Sequence, residues 1–273
     1  MTPDASSPFD ALAANYDRLE LENDIRRLMR ERSLDLLDRT FAKGARLLDV
    51  GCGTGTEAVW LAQRGRDVTA CDSSASMLEA LRRRALSGGV DIPARLMRAG
   101  ELVEMARERT DSGEAPFDGA YSSFGALNTE SSLDAPVAGL SELVRPGGRI
   151  VLGIMNRWCV SETVTLLAAG RPRDAFRRHR RSLIVDLGAT SVEVRYPSWP
   201  SVRRALRPHF RILRVEALLF FLLPYQWRAL RSHRWTLDTL ARLDRLVDAH
   251  RPFAWGGDHV VVVAERRPAT LVR

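Results

Sequence analysis

The chain has 273 residues, of which 45% are hydrophobic, and a formal net charge of +7, which suits one large α/β domain with a full core. It contains no run of about 18 apolar residues and no signal-peptide pattern at its N-terminus, so we expect a cytoplasmic protein without a membrane span. Its three cysteines, Cys52, Cys71 and Cys159, have neither metal-ligand nor disulfide spacing, so we expect no bound metal and a reducing compartment.

The first half of the chain alternates between strand-like and helix-like patterns. The predicted strands are residues 46–50, 67–72, 94–100, 117–124 and 149–155. The predicted helices are residues 9–41, 56–65, 74–86 and 134–144. Strands that alternate with helices form a parallel sheet with right-handed crossovers.

The second half follows a different pattern. Residues 181–197 predict a β-hairpin around a Gly-Ala-Thr turn. After it we expect a helix at 198–206, a strand at 211–219, a helix at 235–249 and a final buried strand at 259–267.

Positive charge is concentrated in this second half. Residues 157–234 hold sixteen arginines and five acidic residues, whereas the remainder of the chain is slightly acidic. Such an asymmetry suggests a negatively charged partner or substrate. The densest cluster, RPRDAFRRHRR at 171–181, fits a solvated helix face, contact with an anionic substrate or carrier phosphate, or contact with RNA. Nucleic acid is the least favoured partner, because no aromatic stacking array or RNA-binding module accompanies the arginines.

A glycine loop with the sequence GCGTG, residues 51–55, joins the first strand to the second helix. A phosphate-binding P-loop would end in Gly-Lys-Ser/Thr, which is absent, and a dinucleotide loop would place a glycine at Thr56. Asp49, just before the loop, would repel a pyrophosphate and suits a ligand with a cationic end. S-adenosylmethionine has an ammonium and a sulfonium but no phosphate, and Asp72 after the second strand could accept hydrogen bonds from its ribose hydroxyls.

These motifs resemble the class I (Rossmann-like) S-adenosylmethionine-dependent methyltransferases. LLDVGCGTG and ACDSSASML carry the likeness. FDALAANYD before them, and FDGAYSSFGALN and LVRPGGRIVL after them, occur in the order of that family, so the resemblance covers residues 9–156. The resemblance implies a three-layer α/β fold with a seven-stranded, mostly parallel sheet in the order 3-2-1-4-5-7-6, an antiparallel last strand and helices on both faces. It also implies methyl transfer that yields S-adenosylhomocysteine and requires no metal.

Carried over by position, the resemblance also assigns the cofactor site. Tyr16 would close over the cofactor, Met77 would pack on the adenine, Glu101 would accept from its amino group, and the Leu102 amide would meet the ring. The third-strand acid is often aspartate in the family, so Glu101 is a departure. The full predicted set is Tyr16, Asp49, Gly51, Cys52, Gly53, Gly55, Asp72, Ser73, Met77, Glu101, Leu102, Ser122, Ser123 and Phe124.

We interpret the chain as one domain, 1–273. It divides into a helical cap at 1–41, a cofactor-binding core at 42–156, a basic substrate lid with strand six at 157–258, and the final strand at 259–267.

The acceptor site is predicted from aromatic and polar residues that follow the core. Candidate substrate-binding residues are Asn128, Tyr196, Trp199, Trp227 and Arg228. A hydroxyl acceptor needs a general base, for which His233 is the preferred histidine, with Tyr225 as a second catalytic candidate. His259 begins a buried strand, so we expect it to be a structural hydrogen-bonder.

The preferred function is methyl transfer from S-adenosylmethionine to the oxygen of a small molecule in a biosynthetic, secondary-metabolite pathway, by in-line displacement. Transfer to carbon or nitrogen of a small molecule, or to a lipid-like or quinone-like acceptor, stays open. A nucleic-acid methyltransferase and a non-catalytic cofactor-binding partner protein are the alternatives from other classes. An anionic acceptor would suit the arginines, and we expect a monomer or homodimer.

Overall fold

The computed structural model describes residues 7–14, 16–17, 23–186, 190–221, 239–240, 242–244 and 253–268. The strands are β1 (Arg46–Val50), β2 (Asp67–Asp72), β3 (Ala94–Leu96), β4 (Phe117–Ser122), β5 (Val144–Met155), β6 (Leu183–Asp186), β7 (Ser191–Val194), β8 (Phe210–Leu218) and β9 (His259–Arg266). The α-helices are α1 (Asp24–Thr40), α2 (Thr56–Ala62), α3 (Ala75–Ser87), α4 (Leu102–Asp111), α5 (Asp134–Leu143), α6 (Val160–Ala168), α7 (Pro172–Ala175) and α8 (Trp199–Leu206).

Seven of these strands form one sheet in the order β3-β2-β1-β4-β5-β9-β8. Numbered within the sheet alone, this is the predicted order 3-2-1-4-5-7-6. Strands β1 to β5 are parallel, whereas β9 runs antiparallel to both β5 and β8. The predicted Rossmann-like sheet with an antiparallel last strand is therefore confirmed.

Two apolar cores lie on opposite faces of this sheet, because successive side chains of a strand point to opposite faces. On β1, Leu47 belongs to the core covered by α2, α3 and the end of α1, whereas Leu48 belongs to the core covered by α4, α5 and α8. Both leucines are fully buried. Each contributes about 1.5–3 kcal/mol through the transfer of its side chain out of water. The chain thus has the expected three layers.

Helix α1 begins later than the periodicity predicted. Asn23 has an extended backbone with φ −124° and ψ 103°, and its side chain accepts hydrogen bonds from the amides of Ile25 and Arg26. An N-cap of this kind starts a helix, so the single helix predicted over 9–41 is wrong. Residues 8–12 form turns ahead of it.

Several other boundaries also differ from the predictions. Strand β3 is only three residues long, β5 already begins at Val144, and α4 and α6 were not predicted. The predicted helix at 235–249 lies mostly outside the described residues.

The predicted hairpin after β5 is confirmed. β6 pairs antiparallel with β7, with Leu183 opposite Val194, as a separate two-stranded sheet. Its buried side chains, Val192 and Val194, pack with Tyr196, and Phe9 and Met155 lie against this cluster. The hairpin therefore sits over the end of β5. Among the helices that the structure describes, none is both long enough and apolar enough to cross a membrane.

Candidate functional site

A cavity of about 240 Å³ lies at the carboxyl ends of the parallel strands. Its lining comes from the glycine loop, the end of β2, the segment after β4, the hairpin β6–β7 and the start of β9. Crevices at the carboxyl ends of strands are the usual ligand sites of open α/β sheets.

Two glycines let the loop after β1 adopt its shape. Gly51 has φ +72°, and a Cβ added to it would lie 2.3 Å from the Cβ of Ala126. A side chain at this position would therefore clash with the segment that follows β4. Gly53 has φ +52° and open space on its side-chain face, so its backbone can approach a ligand closely.

Asp72 at the end of β2 holds the loop in place. Its Oδ2 accepts from the Gly53 amide at 2.8 Å, and its Oδ1 accepts from the Ser74 amide at 2.9 Å. Burial raises the pKa of Asp72, although these backbone hydrogen bonds act in the opposite direction. Since each carboxylate oxygen can accept two hydrogen bonds, Asp72 retains capacity for ligand hydroxyls.

An acidic cluster lies beside the glycine loop. Asp49 is 2% exposed and Glu57 is 5% exposed, and both line the cavity. Burial raises the pKa of Asp49 well above its usual range, and the nearby charges of Glu57 and Asp72 raise it further. Arg30 pairs with Glu57 at 2.7 Å, whereas Asp49 Oδ2 has no hydrogen-bond partner among the described residues. A cationic ligand would stabilise the negative charge of this cluster, and S-adenosylmethionine carries two cationic groups, an ammonium and a sulfonium.

The segment before α1 is fastened over the glycine loop by two aspartates. Asp10 accepts from the Ser74 hydroxyl at 2.5 Å and from the Ser76 amide at 3.1 Å. Asp17 accepts from the Thr54 hydroxyl at 2.6 Å and also pairs with Arg84. These contacts explain both acidic positions of the FDALAANYD motif.

The central part of the chain matches a known family. Residues 47–148 match the family described as methyltransferase domain. Residues 47–148 form a class I methyltransferase domain. S-adenosylmethionine is the cofactor of this family, and the glycine loop, Asp72 and the acidic cluster of this domain fit it.

Two relatives resemble this chain in sequence. The demethylmenaquinone methyltransferase of Beutenbergia cavernae is 36% identical over 157 residues, which are 55% of this chain and 57% of the relative. The ubiquinone biosynthesis O-methyltransferase of Alkalilimnicola ehrlichii is 34% identical over 127 residues, which are 46% and 48% of the two chains. The chain thus spans about half the length of each of these relatives.

A solved structure extends the likeness of fold to nearly the whole chain. The 1,6-didemethyltoxoflavin-N1-methyltransferase of Burkholderia thailandensis, with its substrate and S-adenosylhomocysteine bound, covers 98% of this chain and 94% of its own. Its TM-score is 0.53 and its sequence identity is 17%. At a sequence identity of 17%, this comparison shows a likeness of fold alone.

Most of the residues predicted at the cofactor site line the cavity of the methyltransferase domain. These are Tyr16, Asp49, Gly51, Cys52, Gly53, Asp72, Ser73, Met77, Ser123 and Phe124. Cys52 is buried, and burial together with the charge of Asp49 raises the pKa of its thiol well above the usual range. Such a thiol stays protonated and is a poor nucleophile.

Four predicted cofactor residues are absent from the cavity lining. Gly55 precedes α2 and faces Leu81 of α3, where a Cβ would lie 2.6 Å from the leucine Cγ. The Glu101 carboxylate accepts from the Arg98 amide at 2.8 Å, which closes a turn. Leu102 is fully buried in the core and Ser122 is 1% exposed.

Other residues line the cavity next to the end of β3. Met97, Arg98, Ala99 and Glu130 lie there. Glu130 forms a 3.9 Å ion pair with Arg98 and lines the cavity, whereas Glu101 does not. Glu130 follows β4 in sequence, and no motif of the sequence analysis pointed to it.

The predicted acceptor residues lie in different environments. Tyr196 lines the cavity, but Asn128 and Trp199 do not. The Asn128 amide donates to the carbonyls of Met155 at 3.0 Å and Arg195 at 2.6 Å, so it ties the hairpin to β5. Trp199 packs edge-on against Trp255, with 4.3 Å between ring centroids. The remaining candidates, Tyr225, Trp227, Arg228 and His233, lie outside the described residues.

A buried ionic network lies at the cavity, and its members Arg177, Arg178 and Asp258 line it. Arg178 is 7% exposed and pairs with Glu162 of α6 and with Asp258, which lies just before β9. Arg177 pairs with the same glutamate at 2.7 Å. The cluster 171–181 is therefore not simply a solvated face. Cys159, Glu162 and Asp258 could together surround a cation, but the Arg178 guanidinium already supplies the positive charge between the two carboxylates.

Proposed function

We propose that this protein transfers a methyl group from S-adenosylmethionine to a small-molecule acceptor. The observation that carries the proposal is the buried acidic cluster of Asp49, Glu57 and Asp72 at a glycine loop without phosphate-binding chemistry. The cofactor supplies a methyl group that is already activated on a sulfonium. The chain therefore has to bind it, align the acceptor and exclude water.

The residues of this chain suit each of those tasks. Asp72 and the Gly53 backbone would bind the ribose and methionine portions, and Met77 would pack against the adenine, as the family resemblance implies. The segment fastened by Asp10 and Asp17 covers the cofactor end of the cavity. The hairpin β6–β7 covers the other end, so both substrates would react away from bulk water.

We infer that the acceptor is a quinone-type molecule with a hydroxyl group. The two relatives named above act in menaquinone and ubiquinone biosynthesis according to their names, and this favours a quinone-type ring over an unrelated secondary metabolite. The hairpin end of the cavity supports this choice. It presents apolar side chains suited to a flat ring with an apolar substituent: Phe9, Met155, Val185, Val192 and Val194. Transfer to a ring carbon is the second candidate, since one relative is not named as an O-methyltransferase.

Calorimetry with S-adenosylhomocysteine tests the cofactor part of the proposal. Asp72→Asn keeps the size of the side chain but removes its charge, and Asp67→Asn makes the same change at the exposed start of β2. A hydrogen bond to a charged group contributes about 1.5–3 kcal/mol, so Asp72→Asn should weaken binding by about 10- to 150-fold. Asp67→Asn should bind as the wild type does. Absence of binding to the wild-type protein would contradict the proposed function.

A further inference from the structure

His259 lies at the acceptor end of the cavity. It is the first residue of β9 and pairs with Met155, the last residue of β5, so it occupies the edge at which the parallel strands end. The residue is 5% exposed, and it belongs to the cavity lining. A structural histidine was the expectation for this position, but His259 also lines the cavity.

Asp258 fixes which nitrogen of this imidazole carries the proton. Asp258 Oδ2 lies 2.9 Å from His259 Nδ1, and Asp258 Oδ1 accepts from Arg178 at 2.5 Å. Although burial raises the pKa of Asp258, the charges of Arg178 and His259 outweigh it and hold that pKa well below its usual range. An ionised carboxylate can only accept, so Nδ1 must donate, and Nε2 carries the lone pair in the neutral ring.

The Nε2 atom is buried and has no hydrogen-bond partner among the described residues. A buried polar atom without a partner costs about 1–3 kcal/mol, which a ligand hydroxyl would recover by donating to it. Phe124 lies against His259, with 6.4 Å between ring centroids, and follows β4 directly after Ser123. Phe124 has φ +51°, a strained conformation that clusters at functional sites.

We propose that His259 is the general base that removes the proton from the acceptor hydroxyl, and that Asp258 is its positioning residue. This inference rests on the proposed function. The acceptor O–H bond breaks, and its proton moves to the Nε2 lone pair of His259. The oxygen keeps the electron pair and uses it to form the bond to the methyl carbon, while the electrons of the methyl–sulfur bond pass to the sulfur and neutralise it. The imidazolium then releases its proton to solvent.

The groups around His259 fix the geometry of the dyad. Asp258 bonds to Nδ1 of His259, and Arg178 holds Asp258 in place. Among the described residues, Arg30, Arg177 and Tyr196 also line the cavity near the dyad, and Arg30 lies 5.0 Å over the Phe124 ring. Glu162, outside the lining, pairs with both Arg177 and Arg178.

Nitrogen-15 NMR of histidine-labelled protein tests the dyad without any acceptor. His259→Gln assigns the His259 signal among the five histidines of the chain. We expect the neutral ring to carry its proton on Nδ1, and we expect Asp258→Asn to remove this preference. A His259 protonated on Nε2 in the wild type would overturn the inference, whatever the acceptor is.

Kinetics with paired acceptors tests the chemical role. Hydroquinones and catechols are screened with methyl-labelled S-adenosylmethionine, and the best acceptor is compared with its nitro-substituted form, which is already largely ionised at pH 8. General-base catalysis contributes about 10²- to 10⁴-fold, so His259→Gln should lose at least about 100-fold with the parent acceptor and far less with the nitro form. His209 lies just before β8 and is not part of the cavity lining, so His209→Gln should change neither rate.

The outcomes separate the two proposals. Equal losses with both acceptors would show that His259 has a structural role and would overturn the inference. Unchanged S-adenosylhomocysteine affinity in His259→Gln is expected, because no side-chain hydrogen bond among the described residues joins the dyad to the glycine loop or to Asp72. If the wild type binds no S-adenosylhomocysteine, or transfers methyl to none of the acceptors, the proposed function fails, and the NMR result still decides the dyad.

Discussion

Replacement of Arg178 by methionine should strongly destabilise the protein, because Arg178 neutralises two buried carboxylates. Glu162 is 2% exposed and Asp258 is 3% exposed, and the guanidinium of Arg178 bonds to both. Removal of one partner of a buried ion pair costs about 3–5 kcal/mol, since it leaves uncompensated charge in the interior. At about 2–4 °C per kcal/mol for a chain of this size, the melting temperature should fall by about 6–20 °C.

The matched control is Arg171→Met. Arg171 pairs with Asp174 at 2.7 Å, but both side chains are largely exposed, at 60% and 43%. A surface pair of this kind contributes about 0–1 kcal/mol, so the melting temperature should change by no more than about 4 °C. Differential scanning calorimetry of both variants at pH 7.5 measures the contrast.

The pH dependence of the same variant gives a second check. The pKa of Asp258 is held low by Arg178 and His259 in the folded wild type, so this stabilisation is present above the pKa of an unfolded aspartate and is lost as the pH falls towards the folded pKa. In Arg178→Met, Glu162 keeps only Arg177 and Asp258 keeps only His259 among the described residues, so protonation of the buried carboxylates should relieve their uncompensated negative charge. The difference in stability between wild type and variant should therefore shrink as the pH falls from 7.5 to 5. Equal melting temperatures for Arg178→Met and Arg171→Met, or a difference that grows in acid, would refute this reasoning.

Three further changes test the cofactor end. Gly51→Ala should abolish S-adenosylhomocysteine binding and lower the melting temperature, because the added Cβ would lie 2.3 Å from the Cβ of Ala126. The control is Gly113→Ala, where φ is +69° and the space around the added Cβ is open. This variant should lose only about 1 kcal/mol of stability and should bind S-adenosylhomocysteine normally in calorimetry. Asp17→Asn should weaken the contacts to Thr54 and Arg84 that hold the N-terminal segment over the glycine loop, and should raise the rate of S-adenosylhomocysteine dissociation in stopped-flow measurements; an unchanged rate would count against that segment as a cover. S-adenosylmethionine affinity should fall with decreasing pH, beginning above the pH at which an ordinary aspartate titrates (~3.9), because burial raises the pKa of Asp49 and Asp72 and their protonation removes the charges that attract the cation.

The sheet could be predicted because its determinants are local. The apolar run of β1, the glycine loop and the acid that ends β2 are contiguous in sequence, and the alternation of strands and helices leaves few parallel topologies. The prediction of a single helix over 9–41 was wrong because Asn23 caps the N-terminus of α1. The spacing of apolar residues, on which that prediction rested, carries no information about helix caps.

The acceptor wall could not be predicted because its residues are distant in sequence. Arg178 belongs to the arginine cluster 171–181, whose sequence is typical of a solvent-exposed helix face. Only the tertiary fold brings it into contact with Glu162 and Asp258. The neighbouring pair Asp258–His259 was visible in the sequence, but nothing there showed that His259 would line the cavity. Distance in sequence also explains why Glu130 was missed. It lines the cavity near the end of β3, where Glu101 was expected, but it comes from the segment that follows β4.

The most direct test of the central claim is methyl transfer from methyl-labelled S-adenosylmethionine to a demethylated hydroquinone acceptor, with the product identified by mass spectrometry. The proposal predicts a product heavier by one labelled methyl group on oxygen, formed by the wild type and Asp67→Asn and lost or greatly slowed in Asp72→Asn. Binding of S-adenosylhomocysteine without label in any acceptor, or equal rates for wild type and Asp72→Asn, would contradict it.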